Sequence, residues 1–417
     1  MFASTAFGQL RYIQESTPGV IPVAGTGVNL RTTGFSPKAA VQSVTSNEIR
    51  PERMVLSSTN VDLSVDGGFD FELSSREFDP FLAGVLCGAW AHYGTDGLSA
   101  SMPLTTTANT VVAGAATSGA DDFTLLKPGQ WFKLVPDASA SAAVKEYFAS
   151  NWLKAHETTA PNATTITLSA STPLAGVGLI AAAVNFQVSS STVANGNVRS
   201  SYALEWDQSD VGQFLQYTGM RPNTMSMDFS VGSILTGNFG FFGMRHTITQ
   251  ATQLPNPSVP PAAPAFIPSQ SGEVMNSVTD MGVLMVGGSN LLAGGTSFIQ
   301  KVTLEVNNNL RGQKALGVFG NAGVGYGSLD VTGTMECYFE NEALYEIALA
   351  GEIASLALGV ADVAGNGYVI DLPKIKFKDA AVNLGNKDSD VMLSLPFQAF
   401  YDTNLKRGIS IARAVVA

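Results

Sequence analysis

The sequence is poor in the residues that carry out chemistry. Among 417 residues there are two cysteines, Cys87 and Cys337, and three histidines, His92, His156 and His246. Two cysteines exclude a secreted disulfide framework, and their apolar surroundings point to buried, reduced thiols. No histidine stands near another, or near a cysteine, at a spacing that would hold zinc. No Gly-x-Ser-x-Gly elbow is present. No apolar run approaches the ~20 residues that cross a bilayer. The first twenty residues lack the basic-then-apolar order of a signal peptide. Neither membrane residence nor a cofactor is expected, and the chain reads as cytosolic when made, or as part of a particle assembled there.

Charge is also scarce. Asp, Glu, Lys and Arg make up 14% of the chain, and the formal net charge is −11. Gripping nucleic acid takes clustered Lys and Arg, and here they are few and scattered. The Gly-rich stretches "GNAGVGYG" and "GGSNLLAGG" do not sit between a strand and a helix, and no phosphate-binding Lys-Ser/Thr follows them, so they read as flexible turns. The acid pairs Asp66/Asp70 and Asp388/Asp390 fall in strand or turn contexts. A calcium site in the turn at 386–390 stays open as an alternative, although that turn lacks the ligand count of a calcium loop.

What the sequence does contain is a β pattern, stated twice. "VDGGFDFELSSREFDPFLAG" (residues 65–84) and "VTGTMECYFENEALYEIALAG" (residues 331–351) both open Val-polar-Gly, alternate, turn acidic and close on Leu-Ala-Gly. Met54, Leu56, Val61, Leu63 and Val65 show period two, as do Phe69, Phe71 and Leu73, which predicts half-buried strands. Two helix starts compete after them: a capping box from Ser74 to Glu77, and Asp79-Pro80 with proline at the first helical position. In the second copy Leu316 and Val318 begin the pattern, Val331, Met335, Cys337 and Phe339 alternate, and Asn341 can cap a helix carrying Leu344, Ile347 and Ala348.

Each copy is followed by a strand hairpin. Met225, Met227, Phe229 and Val231 lead to Phe239 and Phe241 in the first. Ile375 and Phe377 lead to Val391, Leu393, Leu395 and Phe397 in the second. The hairpin follows its helix closely in the second half and distantly in the first, so a domain is inserted into the first copy. The insert has strand signals at 123–126, 131–135, 164–168 and 184–188, and reads as a small all-β barrel. "LPNPSVPPAAPAFIPSQSG" is a stiff linker between the copies. The expected division is an extended arm over 1–45, with a short strand near 42–45. A first unit spans 46–94 and 198–250, the insert 95–197, the linker 251–272 and a second unit 273–417.

The blocks "YIQESTPGVIP", "TSNEIRPERM", "YALEW", "FLQYTGMRPNTMSMDFSVGSILTGNFGFFG" and "GYGSLDVTGTMECYFENEALYEIALAG", in this order, resemble the tail tube (major tail) proteins of long, non-contractile-tailed bacteriophages, in particular a two-unit subfamily. The resemblance covers essentially the whole chain. It implies a mainly β fold: two tandem tail-tube β-sandwich units, each with a short flanking α-helix, plus the small inserted β-domain. It implies a structural subunit rather than an enzyme, in the virion tail and assembled in the host cytoplasm. Rings of three chains with pseudo-sixfold symmetry would stack into a hollow tube that conducts DNA without specific binding. The implied partners are other copies of the chain, a tape measure protein in the lumen, and the tail terminator and distal tail or baseplate proteins. Glu48, Arg50, Glu52, Arg53, Arg311 and Lys314 are then candidates for contacts between subunits or rings, against the alternative of a solvated loop with local ion pairs. Ser233, Thr236, Asn386, Lys387, Asp388 and Asp390 are candidates for turns on the barrel rim. The competing reading is a carbohydrate-binding or adhesive surface protein, with Trp131 and Trp152 of the insert stacking on sugars. A β-rich hydrolase is a third, for which no acid cluster or short repeat period speaks.

Overall fold

Period-two stretches become strands, and the two halves arrange them in the same order. The computed structural model describes residues 4–51, 54–115, 117–174, 184–255, 266–270, 272–292, 298–340 and 343–416. The first half supplies β1 (Gly8–Gln14), β2 (Lys38–Thr45), β3 (Ser58–Glu72), α1 (Asp79–Val85), β4 (Tyr202–Gln208), β5 (Gln213–Ser230), β6 (Thr236–Gly243) and β7 (Arg245–Thr249). The second half supplies β8 (Met281–Val286), β9 (Ile299–Asn307), β10 (Asp330–Tyr338), α2 (Ala343–Ala350), β11 (Ile353–Ala361), β12 (Gly367–Phe377), β13 (Ala381–Asn383), β14 (Met392–Ala399) and β15 (Ser410–Ala414). The chain is thus mainly β, with short helices laid on antiparallel sandwiches. Residues 8–14, read above as part of an extended arm, pair along their length with β4.

In each sandwich one long strand serves both layers. The first part of β5 pairs with β4 and β7 in an outer layer, and β1 lies beyond β4. The last part of β5 pairs with β6, and β6 with β3, in an inner layer. The change of layer falls by Gly219, whose φ is +70°; a Cβ there would meet the Met244 side chain at 2.6 Å. Only glycine suits such a place. Glu15 holds it, its carboxylate accepting the Gly219 N–H at 3.0 Å. In the second half β12 pairs with β11 and β15 in the outer layer, with β8 beyond β11. The end of β12, followed by β13, pairs with β14 in the inner layer.

The two inner layers are one sheet. β5 pairs with β9 from Thr224 opposite Asn307 to Ser230 opposite Lys301. The strand order is therefore β2, β3, β6, β5, β9, β10, β14, then β12 with β13. Registers align the apolar phases of these strands. Phe69, Phe239, Met225, Val306 and Val331 form one row; Phe229, Val302, Met335 and Leu395 form another. All are buried. Burying each such side chain contributes on the order of 1.5–3 kcal/mol, so the shared core ties the halves together.

Helix α1 begins at Asp79 with proline in its first turn, the second of the two predicted starts. Glu77 does not complete a capping box; its carboxylate accepts the N–H groups of Arg31 at 2.9 Å and Gln270 at 2.6 Å. Phe81, Leu82 and Val85 face the inner sheet, with Phe81 4.8–5.8 Å from neighbouring rings such as Phe69 and Phe239. Asn341, the predicted cap of α2, lies outside the described residues.

Between α1 and β4 a separate six-stranded sheet forms, with strands Met102–Thr106, Thr110–Ala113, Trp131–Pro136, Leu153–Lys154, Thr165–Thr167 and Val184–Ser189. It has its own core around Phe132, Phe148 and Phe186. It is not purely β: Ala142–Ser150 is a helix capped by Ser141, and Phe123–Leu125 is a 3-10 turn capped by Asp122 rather than a strand.

Candidate assembly surfaces

The strand alternation that fills the core leaves a second face on the joined inner sheet. Rows of polar residues run across it. Asp70, Asn238, Ser226, Glu305, Thr332 and Gln398 stand side by side, and so do Glu72, Thr236, Asp228, Thr303 and Thr334. Asp330 and Glu336 share this face, with Lys301 and Lys376 as cations. Lys301 Nζ lies 2.7 Å from Asp228 Oδ2, and Asn238 Nδ2 donates to Asp70 Oδ1 at 2.7 Å. The Asp228 contact holds the Lys301 pKa above its ordinary value. These acids were missed as site residues. Their only signal was the polar phase of a pattern read for its apolar phase.

The ends of the inner sheet are bare. Among the described residues no strand pairs with the outer side of β2, of the two-residue strand Gly34–Phe35 beside it, or of β13. The two hairpin turns differ likewise. At Ser233 the turn is held by the second half: Ser233 N–H donates to Ser277 Oγ at 3.3 Å, Ser277 N–H to the Ser233 carbonyl at 3.0 Å, and Leu235 N–H to the Met275 carbonyl at 2.9 Å. Thr236 opens β6 between Glu72 and Asp228. Asn386, Lys387, Asp388 and Asp390 are all exposed, in a turn where Ser389 Oγ–H donates to the Asn386 carbonyl at 2.6 Å. Gly385 and Asp388 there take φ of +63° and +65°.

The long hairpin of β2 and β3 projects from the sandwich. Met54, Leu56 and Val61, expected as half-buried strand residues, are exposed, because among the described residues no second layer reaches them. Ile49 and Val55 are exposed beside them. Within the same loop Glu48 and Arg50 pair locally at 2.8 Å; Glu52 and Arg53 lie outside the described residues. Arg311 is exposed on the small hairpin of Arg311–Gln313 and Gly323–Gly325. Lys314, next to it, turns inward within the chain and reaches Asp62 Oδ1 on β3 at 2.7 Å. That bond holds the Asp62 carboxyl below its usual range.

Buried polar ties bind the second half to the rest. Arg413 on β15 pairs with Asp79 at the start of α1, and Tyr368 Oη–H donates to the same carboxylate at 2.6 Å. Asp371 on β12 lies 3.3 Å from both Lys154 Nζ of the insert and Arg407 Nη2. Around this point Trp131 and Trp152 are 1% and 3% exposed, packed with Val283, Met285, Val369 and Ala412 of the second half. They cannot stack on a sugar without unseating the insert, which removes the basis of the adhesive reading.

The remaining chemical groups stay apart. His92 Nδ1 lies 2.8 Å from Ser191 Oγ, His246 stacks on Tyr217 at 4.5 Å, and His156 Nδ1 accepts the Thr159 N–H at 3.2 Å. Cys87 and Cys337 are buried free thiols, and burial pushes Cys337 up to about 11. Among the described residues no His, Cys, Asp and Glu side chains gather in threes to hold a metal, and no helix is long and apolar enough to cross a membrane.

Compared with models of protein families, residues 6–399 match the one described as phage tail tube protein, and the chain belongs to that family. No curated protein matches it.

Proposed function

We propose that this phage tail tube protein assembles as rings of three chains, and that the rings stack into a hollow tube conducting DNA from capsid to host. The observation that carries the reading is the inner sheet, which crosses both units unbroken and ends bare on both sides. Bare edges invite further strands, and closing a sheet into a barrel removes them. With two units per chain, a six-unit barrel takes three chains, and its six units are related by pseudo-sixfold symmetry.

The helices and outer layers lie on the core side of that sheet, so the polar face turns to the lumen. Its carboxylates, Asp70, Asp228, Glu305 and Glu336 among them, repel phosphate and let DNA slide. The chain divides into a first unit that takes in β1 and β2, the insert, the linker and the second unit, with the insert on the outside of the tube, since a domain in the lumen would block it. The loop with Glu48 to Arg53 reaches a neighbouring subunit or ring, and exposed Ile49, Met54, Val55 and Leu56 give it apolar contact area. The turns at Ser233 and at 386–390 lie toward the barrel rim. A tape measure protein occupies the lumen during assembly in the host cytoplasm, and terminator and distal tail or baseplate proteins meet the two ends of the tube in the virion.

Electron microscopy of purified protein and of virion tails tests this. Stacked, evenly spaced rings with three inserts around each are expected. A monodisperse monomer under all conditions, absent from virions, would overturn the reading.

A further inference from the structure

The junction inside the chain supplies a template for a junction between chains. Corresponding positions follow from the registers. Val65 and Val331 are the same place in β3 and β10, so Gly68 corresponds to Thr334 and Glu72 to Tyr338. Thr236 faces Glu72 and Met392 faces Tyr338, so β6 and β14 correspond through those residues. Asp228 faces Thr236 and Asn383 faces Met392, so Asn383 holds the place of Asp228. On the other side, Thr303 faces Thr334, and Ser36, whose N–H donates to the Gly68 carbonyl at 2.9 Å, holds the corresponding place beside Gly68.

Inside the chain Asp228 faces Thr303. We infer that the bare edge at 379–385 pairs antiparallel with the bare edge at 34–40 of a second copy, Asn383 opposite Ser36, Ala381 opposite Lys38 and Leu384 opposite Phe35. The inference rests on the ring reading above and adds its partner edge and register.

Leu384 carries the apolar part of the argument. Its counterpart Phe229 is 6% exposed because it faces Val302 across the internal junction, whereas Leu384 is 72% exposed. Phe35 holds the place of Val302 and lines a groove of about 780 Å³ with Leu30, Thr33 and Trp206. That groove receives Leu384. On the polar face, exposed Lys38 lies diagonal to exposed Asp379 of the partner, a favourable pair at that spacing.

Paired cysteines in the full chain read the register. Directly opposite residues have Cβ atoms near disulfide distance, and diagonal ones do not. S36C/N383C should give covalent species up to a closed trimer on oxidation, while K38C/N383C should not. Buried Cys87 and Cys337 do not compete. Rings seen by microscopy with cross-linking only in the shifted pair would overturn the register and leave the tube reading standing. Dimers from S36C alone would mean that like edges meet, and would overturn the partner edge. Failure of the unaltered protein to form rings would sink both. As a check independent of cysteine, Leu384→Asp should stay folded by circular dichroism and lose ring assembly; rings undiminished by it would count against the inference.

Discussion

The β5–β6 hairpin and the hairpin of β12, β13 and β14 are one element in two settings. In the first, the outer edge is paired with β9, Phe229 is covered, and the turn at Ser233 is held by Ser277 and Met275. In the second, the matching edge is bare, Leu384 is uncovered, and the turn at 386–390 stands in solvent. The covered copy shows what the bare one lacks: a neighbouring strand, an apolar partner and a hydrogen-bonding segment, all of which the first hairpin receives from the second half. The insert shows a similar mismatch. It interrupts the first half in sequence, yet it sets its tryptophans on the second.

Substitution at matched positions breaks the comparison most sharply. Phe229→Ala should cost about 3–5 kcal/mol in urea denaturation of the unassembled chain, from lost burial and the cavity left behind. Leu384→Ala should change that stability by no more than about 0.5 kcal/mol, yet shift sedimentation from rings toward single chains. Equal destabilisation at both sites would mean that the second edge is already covered.

The seat of the insert comes next. Asp371→Ala leaves Lys154 and Arg407 buried without their shared carboxylate, which should cost about 3–5 kcal/mol by the same measurement. An effect confined to the second half, with the insert's resistance to protease unchanged, would separate the two.

Smaller is a pH effect at the same seam. Lys133 donates to the carbonyls of Ala149 at 2.5 Å and Gly365 at 3.0 Å, and burial pushes it down to about 8 from 10.5. Between those values the unfolded chain holds a proton that the folded chain has lost. Stability therefore rises as pH increases through that window, by up to about 1.4 kcal/mol per pH unit. Above pH 10 the tyrosines, whose ionisation burial opposes, act in the other direction. Denaturation midpoints from pH 8 to 10 should climb in the natural protein and lie flatter in Lys133→Met.

The smallest expected change is at the exposed tie between hairpin and strand. Lys314→Ala should let the Asp62 carboxyl rise back toward its ordinary range, followed by NMR titration, with little effect on unfolding.

Much of the fold was legible because alternation dictates which side chains share a face. Phe69, Met225, Met335 and Phe397 were placed in strands by period two alone. The helix start was decided by context the sequence does not display, since Glu77 is taken by Arg31 and Gln270 from distant segments. The projecting hairpin was misread for a related reason. Met54 and Leu56 alternate like core residues, and only the absence of a covering layer distinguishes them. The polar face of the inner sheet was the least visible. Asp70, Glu305 and Glu336 become one face only when long-range registers set them side by side, and Trp131 and Trp152 could be judged only once their packing partners were known.

The β5–β9 joint has one more consequence. In the three-chain ring proposed above, half of the joints lie within chains, so such a ring can gain or lose units only two at a time. A single missing or surplus unit, the smallest error open to separate subunits, is forbidden by covalent connection. The nearest wrong circumference of that ring differs by a whole chain. In that proposed ring a chain of two units imposes parity on the bore of the tube before closure.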